Sequence, residues 1–505
     1  MLQGQPKVNF AVLLSQWLPA LPQLAQWQAI EIANLYIDSR QVTAGDAFVA
    51  IAGHQVDGRQ FIDKAIAQGA VAVFAETDSE HAHGQCDWQG DVPVLWLDAL
   101  ATELSALGHF FYQAPSQQMT MAAVTGTNGK TTISQILAQW AQLLGCRAGV
   151  MGTNGNGLLG QLQESANTTA DGITVQRQLA ALKQAGANFV AMEVSSHGLH
   201  QGRIAKVHYD VGIFTNLTRD HLDYHGDMAS YAAAKKLLFT EHDCRHAVIF
   251  AGDETGHAWL SDLPDAVAVG LNAMQVQGHC GRKIWATEVQ YSQQGVTIAF
   301  DSSWGRGQFN AALVGAFNVA NLLCALAALL VLGHDKSALL ACAPALQAVV
   351  GRMEIFHQPG QAMAVVDYAH APDALEQALK ALRHHCDGDL WCLVGCGGDR
   401  DRGKRPMMAE IAERLADRVI LTDDNPRSES PDAIIADMQA GMQHPERVAV
   451  IHSRFDACAF ALANANEQDI ILVAGKGHED YQIYGQDKRH YSDRETLAEL
   501  LGRKA

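Results

Sequence analysis

The chain has 505 residues, 48% of them hydrophobic, with 36 Lys and Arg against 54 Asp and Glu for a formal net charge of −18. Such a length supports more than one domain, with three expected, and such a composition can fill several cores. The acidic balance argues against a nucleic-acid footprint, and no apolar run is long enough to span a bilayer.

Ten cysteines are scattered along the chain, and only Cys392 and Cys396 lie close together. Unpaired cysteines with mostly apolar neighbours suggest a reducing compartment, so a cytoplasmic protein without membrane insertion is expected. There is no internal repeat and no low-complexity segment.

Residues 1–113 mix strand-like runs (AFVAIAG, AVAVFAE, VPVLWL) with short helical ones and read as an N-terminal domain. The polar, Pro-containing APSQQ at residues 114–118 reads as a linker. Residues 114–350 follow as a central domain with a parallel or mixed sheet. It opens with the strand MAAV, a Gly-rich turn and an amphipathic helix whose Ile133, Ile136, Leu137, Trp140 and Leu144 share one face. FVAMEV and VGIFTNL read as further strands.

Residues 351–505 alternate strands (AMAVVDY, LWCLVG, RVILT, RVAVI, DIILVAG) with helices (DALEQALKALRHH, PMMAEIAERLA, DACAFALANA, RETLAELLG). This alternation predicts a Rossmann-like, mostly parallel sheet with helices on both faces. The expected fold is therefore α/β in three domains, the central one of P-loop ATPase type. Ligands of such sheets gather at the carboxyl ends of the strands. The segment TDDNPRSES, residues 422–430, sits at one such end and holds a single cation, Arg427, among acids.

VTGTNGKTT, residues 124–132, places a Gly-rich turn between a strand and a helix start. Backbone N–H groups and the helix dipole then converge on one point, which suits phosphate. Gly126, Thr127, Asn128, Gly129, Lys130, Thr131 and Thr132 form the expected ATP cradle. Lys130 would neutralise terminal phosphates, and the Thr131 hydroxyl would reach Mg²⁺. Val124 stands where the strict pattern has its first glycine, and a plain βα turn is the bland alternative.

A phosphate loop alone names no reaction, since motors, switches, kinases and ligases all use one. MEVSSH puts Glu193 at the end of a buried strand, where an acid is costly unless it binds a cation. NLTRDHLDYHGD, residues 216–227, gathers Asp220, His221, Asp223 and His225 beyond another strand. Mg²⁺ prefers oxygen, so Glu193 is the better ligand and His221 the second choice. On its residues alone YAAAKKLLF reads as a tightly packed Ala-Lys pair on a helix, one lysine of which is easily a surface residue. Cys392 and Cys396 read as small side chains of a buried strand, because no second pair at zinc spacing accompanies them.

These pieces in this order resemble the Mur ligases, the ATP-dependent amide-bond-forming enzymes that build the peptide of bacterial cell-wall precursors. The resemblance covers essentially the whole chain: TGTNGKTT, EVSSHGL, NLTRDHLDYHG, YAAAK, LVGAFNVAN, GRME, DYAHAPD, GCGGDRDRGKRP, DNPR and GKGHE. It implies catalytic roles for Lys130, Glu193, His221 and Lys235, the last carbamylated to N6-carboxylysine. Metal contacts would come from Thr131, Glu193, His221 and Lys235. Asn318, Arg352 and Asp367 would touch the ATP base, ribose or phosphates. Phe317 stands where many relatives carry His, so a side-chain role there does not transfer.

The implied partners are a UDP-N-acetylmuramoyl dipeptide and meso-diaminopimelate, with ATP and Mg²⁺ as cofactors, acting on a monomer. Ile37, Ser39, His54, Gln55 and Val56, with Asn167, Thr168, Thr169, Ser195, Gln201 and Arg203, would hold the UDP substrate. Arg400, Asp424, Asn425, Pro426, Arg427, Gly475 and Glu479 would hold diaminopimelate. Arg427 would grip its distal carboxylate. Asp424, Glu429 or Glu479 would take its ammonium, Glu479 being favoured. The implied reaction passes through an acyl phosphate and needs no Ser or Cys nucleophile. The alternatives are a lysine-adding sister ligase, a folylpolyglutamate-synthase-like ligase, and a P-loop kinase or switch.

Overall fold

The computed structural model describes residues 7–21, 25–53, 56–165, 167–292 and 295–502. His54 and Gln55 lie outside the described residues. The chain divides into two compact units, Met1–Val267 and Ala268–Ala505.

In the first unit the short apolar runs of the N-terminal segment become a sheet ordered Leu35–Tyr36, Ala47–Ala50, Ala72–Glu76, Val92–Leu97, Cys86–Gln89. Only its last pairing is antiparallel. Each face carries its own core, one around Phe10, Trp27, Phe74 and Leu95, the other around Phe48, Val73 and Trp96. The expected linker is a packed joint instead. Pro115–Gln118 forms a single 3-10 turn with Pro115 and Ser116 buried, and the Ser116 hydroxyl accepts from the His208 N–H at 3.1 Å. Polar composition does not separate such a turn from a solvated linker.

A second sheet of this unit runs Gly155–Leu158, Ala148–Gly152, Phe189–Glu193, Thr120–Thr125, Tyr209–Phe214, Cys244–Phe250. Its pairings are parallel from Ala148–Gly152 onward. Val124 lies opposite both Glu193 and Ile213, so three strands end at one level. The helix Lys130–Leu143 buries Ile133, Ile136, Leu137 and Trp140 as its spacing predicts. Leu144 is the half-buried C-cap.

The second unit contains an antiparallel meander, Lys283–Ser292, Gly295–Ser302 and Gly307–Ala311. It also holds the apolar helix Phe317–Val331, whose length is almost wholly buried. The C-terminal sheet is ordered Glu354–Phe356, Met363–Asp367, Ile470–Ala474, Leu390–Val394, Arg418–Leu421, Ala449–Val450. Only its first pairing is antiparallel, and two cores cover its faces, as alternating strands and helices predict. The RVAVI run pairs over just two residues, as an edge strand.

Beneath this sheet's carboxyl ends lies a fully buried ion pair. Arg454 Nε and Nη2 donate to the two oxygens of Asp493 at 2.8 and 2.7 Å, and Nη2 also donates to the Ala474 carbonyl. Among the described residues, no helix is long and apolar enough to cross a membrane.

Candidate active site

The phosphate loop is fastened from the neighbouring strand end. Thr127 N–H donates to the Asn216 carbonyl and Asn128 N–H to its side-chain oxygen, both at 2.9 Å. The Thr215 hydroxyl donates to the Asn128 carbonyl at 2.6 Å. Gly126, at φ 150°, has no room for a side chain: a Cβ there would lie 1.9 Å from the Thr215 hydroxyl. The loop backbone is thus set before any ligand arrives, and it opens the 14-residue helix Lys130–Leu143 at its positive end.

Two lysine amines meet on one carbonyl. Lys130 Nζ donates to Gly126 O at 2.9 Å and to Thr127 O at 2.8 Å, and Lys235 Nζ donates to Gly126 O at 2.8 Å. Lys235 is 1% exposed on the helix Met228–Thr240 rather than at its surface, and its amine lies over the Tyr231 ring. Among the described residues it forms no ion pair. Burial, then the charge of Lys130, holds its pKa well below the usual lysine range.

Glu193 is equally enclosed, at 1% exposure. Its carboxylate accepts from the Thr131 hydroxyl at 2.9 Å, from Thr153 N–H at 2.9 Å and from the Thr153 hydroxyl at 3.1 Å. No cation of the described residues pairs with it, which leaves a buried negative charge beside a phosphate cradle. His221 caps the helix Leu222–His225 at φ 53°, with its Nε2 3.4 Å from Asp220. Its ring is half-exposed, edge-on to His197 and Tyr231.

The residues assigned to the muramoyl dipeptide form a chain leading away from Glu193. Thr168 and Thr153 hydroxyls are 3.0 Å apart, and the Thr169 hydroxyl bridges Glu193 O and Ser195 N–H. Arg203 donates to Thr169 O at 2.7 Å and to Gln201 Oε1 at 2.9 Å. Asn167 adjoins this chain and takes the Ser165 hydroxyl on its carbonyl. Ile37, Ser39 and Val56 sit apart, on loops of the N-terminal sheet. Ser39 is buried at the start of a 3-10 turn and Val56 is exposed.

In the second unit, strand ends gather three loops. Gly397 is the meeting point: a Cβ on it would lie 2.9 Å from Arg427 Nη1, 3.7 Å from Arg400 Cγ and 3.7 Å from Asp424 Oδ2. Arg427, at φ 53°, donates from Nη1 to Gly398 O at 2.7 Å. Its N–H bonds Ile483 O, and its carbonyl accepts Gly485 N–H, so the hairpin Tyr481–Tyr484 to Asp487–His490 fixes the turn. Asn425 Nδ2 donates to Glu479 at 3.2 Å, and its oxygen accepts Ile483 N–H. Pro426 O lies 1.8 Å from a Cβ placed on Gly398, so that glycine is obligatory.

Glu429 is not available to an incoming ammonium. Buried Arg405 takes both its oxygens at 2.7 and 2.9 Å, which holds the Glu429 carboxyl at about 2. The Asp399 carboxylate binds the Ser428 N–H and hydroxyl, and Arg400 reaches Asp399 only through its backbone carbonyl, at 3.4 Å.

A further loop holds Arg352 and Asp367. Arg352 stacks over the Tyr368 ring at 4.8 Å, and among the described residues its buried Nε has no hydrogen-bond partner. Asp367 accepts Met353 N–H, and burial pushes its carboxyl up against the opposing pull of Arg352. Gly475 N–H donates to Asp367 O. Asn318 is buried, donating to Val314 O and accepting from Asn321.

Sequence reasoning missed Thr153, Tyr231, Arg405 and Lys476. Lys476 was discernible only as the lysine of GKGHE, yet it is wholly buried between Glu479 at 3.1 Å and Asp424 at 3.5 Å. Cys392 and Cys396 are buried, and burial pushes both thiols up to about 12.

Three segments match known families: residues 31–110 the Mur ligase family catalytic domain, 124–329 the Mur ligase middle domain and 351–477 the Mur ligase glutamate ligase domain. The UDP-N-acetylmuramoyl-L-alanyl-D-glutamate–2,6-diaminopimelate ligase of Vibrio cholerae serotype O1 is 56% identical over 490 residues, covering 97% of each chain. The chain belongs to the Mur ligase family.

The ligase of the same name from Haemophilus influenzae is 53% identical over 482 residues, which are 95% of this chain and 98% of that one. A solved structure of a UDP-N-acetylmuramoyl-L-alanyl-D-glutamate–2,6-diaminopimelate ligase superposes with a TM-score of 0.71 at 35% identity, covering 98% of this chain and 99% of that one. The α/β Mur ligase fold expected from the motif order is therefore present, and this Mur ligase is an ATP-dependent amide ligase.

Proposed function

We propose that this ligase joins meso-2,6-diaminopimelate to the D-glutamate of UDP-N-acetylmuramoyl-L-alanyl-D-glutamate, with ATP cleaved to ADP and phosphate, during cytoplasmic cell-wall precursor synthesis. The observation that carries this reading is the convergence of Arg427, Arg400 and Asp424 on Gly397, with Glu479 tied to the same turn through Asn425. A zwitterionic side-chain end has both signs to be matched there. A paired guanidinium contact suits a carboxylate that lysine lacks. The names of relatives sharing 53–56% identity support the same substrate.

The substrate's glutamyl carboxylate attacks the γ-phosphate, ADP leaves, and an acyl phosphate results. The amine of diaminopimelate then attacks the acyl carbon, and inorganic phosphate departs from the tetrahedral intermediate. Both first reactants are anions, so the chain must neutralise charge before it can position them. Lys130, at the helix start, exchanges its bonds to Gly126 and Thr127 carbonyls for phosphate oxygens.

Thr131 and Glu193 offer a hydroxyl and a carboxylate in direct contact, hard oxygen donors that fit Mg²⁺. When bound, Mg²⁺ supplies charge neutralisation on the phosphates. Lys235 fits the carbamate role because the uncharged amine is the form that adds carbon dioxide, and burial lowers the pKa toward that form. The product would present anionic oxygens where an ammonium repels the metal. His221 completes the assigned set.

Asn167, Thr168, Thr169, Ser195, Gln201 and Arg203 would hold the muramoyl dipeptide. Ile37, Ser39, His54, Gln55 and Val56 would hold the uridine end. Asn318, Arg352 and Asp367 would contact ATP, with Arg352 Nε the open donor. We assign these roles to three domains, 1–113, 114–350 and 351–505, of a monomer. The test is ADP release with the uridine dipeptide, comparing diaminopimelate with L-lysine. Release that needs both the dipeptide and diaminopimelate supports the reading, and equal kcat/KM for the two diamino acids refutes it.

A further inference from the structure

We propose that Lys476 is a specificity-determining residue: its buried ammonium occupies Asp424 and Glu479, and so denies those acids to a distal ammonium that arrives without a carboxylate. This rests on the diaminopimelate reading and adds to it a second discriminator besides Arg427.

Lys476 follows Gly475 at the end of the strand Ile470–Ala474 and has no exposed side-chain surface. Its Nζ lies 3.1 Å from Glu479 Oε2 and 3.5 Å from Asp424 Oδ1, with the Tyr481 ring centroid at 5.4 Å. These two acids are the ones left to receive a substrate ammonium once Glu429 is committed to Arg405. Each carboxylate gives one oxygen toward Lys476, and Asn425 Nδ2 leans on the same two oxygens at 3.2 and 3.4 Å.

Charge decides the consequence. Two acids face Lys476, and the Arg427 Nη1 and an Asp424 oxygen both border Gly397, while the Arg400 guanidinium turns to the Asp399 carbonyl. Two cations, Lys476 and Arg427, against two acids, Asp424 and Glu479, leave this set neutral. The distal end of diaminopimelate, with one ammonium and one carboxylate, enters at no net cost in charge. The distal end of lysine adds an uncompensated cation to a partly buried site, where charges are weakly screened. Without Lys476 the balance becomes negative, and the freed carboxylates offer lysine a partner.

L-norleucine isolates this effect, because it matches lysine but lacks the ε-ammonium, and both leave Arg427 equally unpaired. ADP-release kcat/KM is measured for diaminopimelate, lysine and norleucine with the unmodified ligase and with Lys476→Met, Lys476→Gln and Lys476→Arg. In the unmodified ligase lysine is expected to be no better than norleucine. In Lys476→Met and Lys476→Gln the lysine-to-norleucine ratio rises about tenfold or more, and Lys476→Arg keeps the original ratio.

A merely structural role would lower all three substrates in parallel and leave that ratio fixed, which overturns the proposal. A tenfold preference of the unmodified ligase for lysine over norleucine overturns it without any variant. Failure of diaminopimelate to support ADP release at all would instead strike the parent reading.

Discussion

Replacing Arg427 by alanine tests the substrate assignment most directly. The guanidinium is half-buried, anchored by one 2.7 Å bond to Gly398 O, and stands beside Asp424 and Arg400 around Gly397. Truncating one partner of a desolvated charged pair costs about 2–5 kcal/mol. Partial exposure places Arg427 in the lower part of that range, at about 3 kcal/mol, or about 150-fold in kcat/KM for diaminopimelate.

Lysine has no distal carboxylate to lose and its ammonium is not disfavoured by losing a nearby cation, so its kcat/KM should hold or rise. The KM for ATP should move little. Arg427→Lys keeps the charge without the planar fork and should fall between. The backbone at φ 53° is left-handed, so Arg427→Gly relieves strain while losing the same side chain. ADP release under steady-state conditions reads all of these. Parallel losses for lysine and diaminopimelate, or recovery of activity in Arg427→Gly, would refute the reasoning.

Lys235→Ala should abolish Mg²⁺-dependent ADP release, and short carboxylic acids added to the assay should restore part of it; no response to any of them counts against a carbamate. Arg454→Met leaves Asp493 buried without its partner and should cost about 3–5 kcal/mol, read as a lower Tm. Adding Asp493→Leu to that variant should recover most of the loss.

His385 accepts Gly315 N–H on Nε2 and donates from Nδ1 to Ser292 O, so it must be neutral, and burial lowers its pKa. The unfolded chain therefore takes up this proton first. The stability contributed is full above the unfolded value of about 6.5 and is lost as pH falls through the lower folded value. Between pH 7.5 and 5.5 the unmodified protein should lose more Tm than His385→Gln, and identical slopes would count against it.

Much of the fold was legible because the apolar runs are short, bounded by Gly and Pro, and alternate with helices of clear period. Glu193 stood out because an acid at the end of an apolar strand has few inexpensive explanations. Lys235 did not stand out from its residues, since YAAAKKLLF reads equally well with both lysines in water, and only the motif order singled it out. Lys476 was hidden for a similar reason: a lysine in a Gly-rich turn looks solvated until two other strand ends close over it.

Thr153 could not be found from pattern, because its bonds to Glu193 join segments 40 residues apart. The acids of TDDNPRSES looked interchangeable in sequence. Their sorting depends on Arg405, a helix residue whose fork reaches Glu429 across 24 positions.

The shared carbonyl of Gly126 has a consequence for proton counting. Two ammonium groups cannot comfortably crowd one oxygen, and burial with the Lys130 charge holds the Lys235 amine well below the usual lysine range. The proton of Lys235 is therefore held less firmly than that of an ordinary lysine. Any event that brings anionic charge to the loop, or converts that amine to an acid, must exchange protons with the solvent. Titration calorimetry of nucleotide binding in buffers of different ionisation heat should then give different apparent enthalpies, and the slope would count the protons moved.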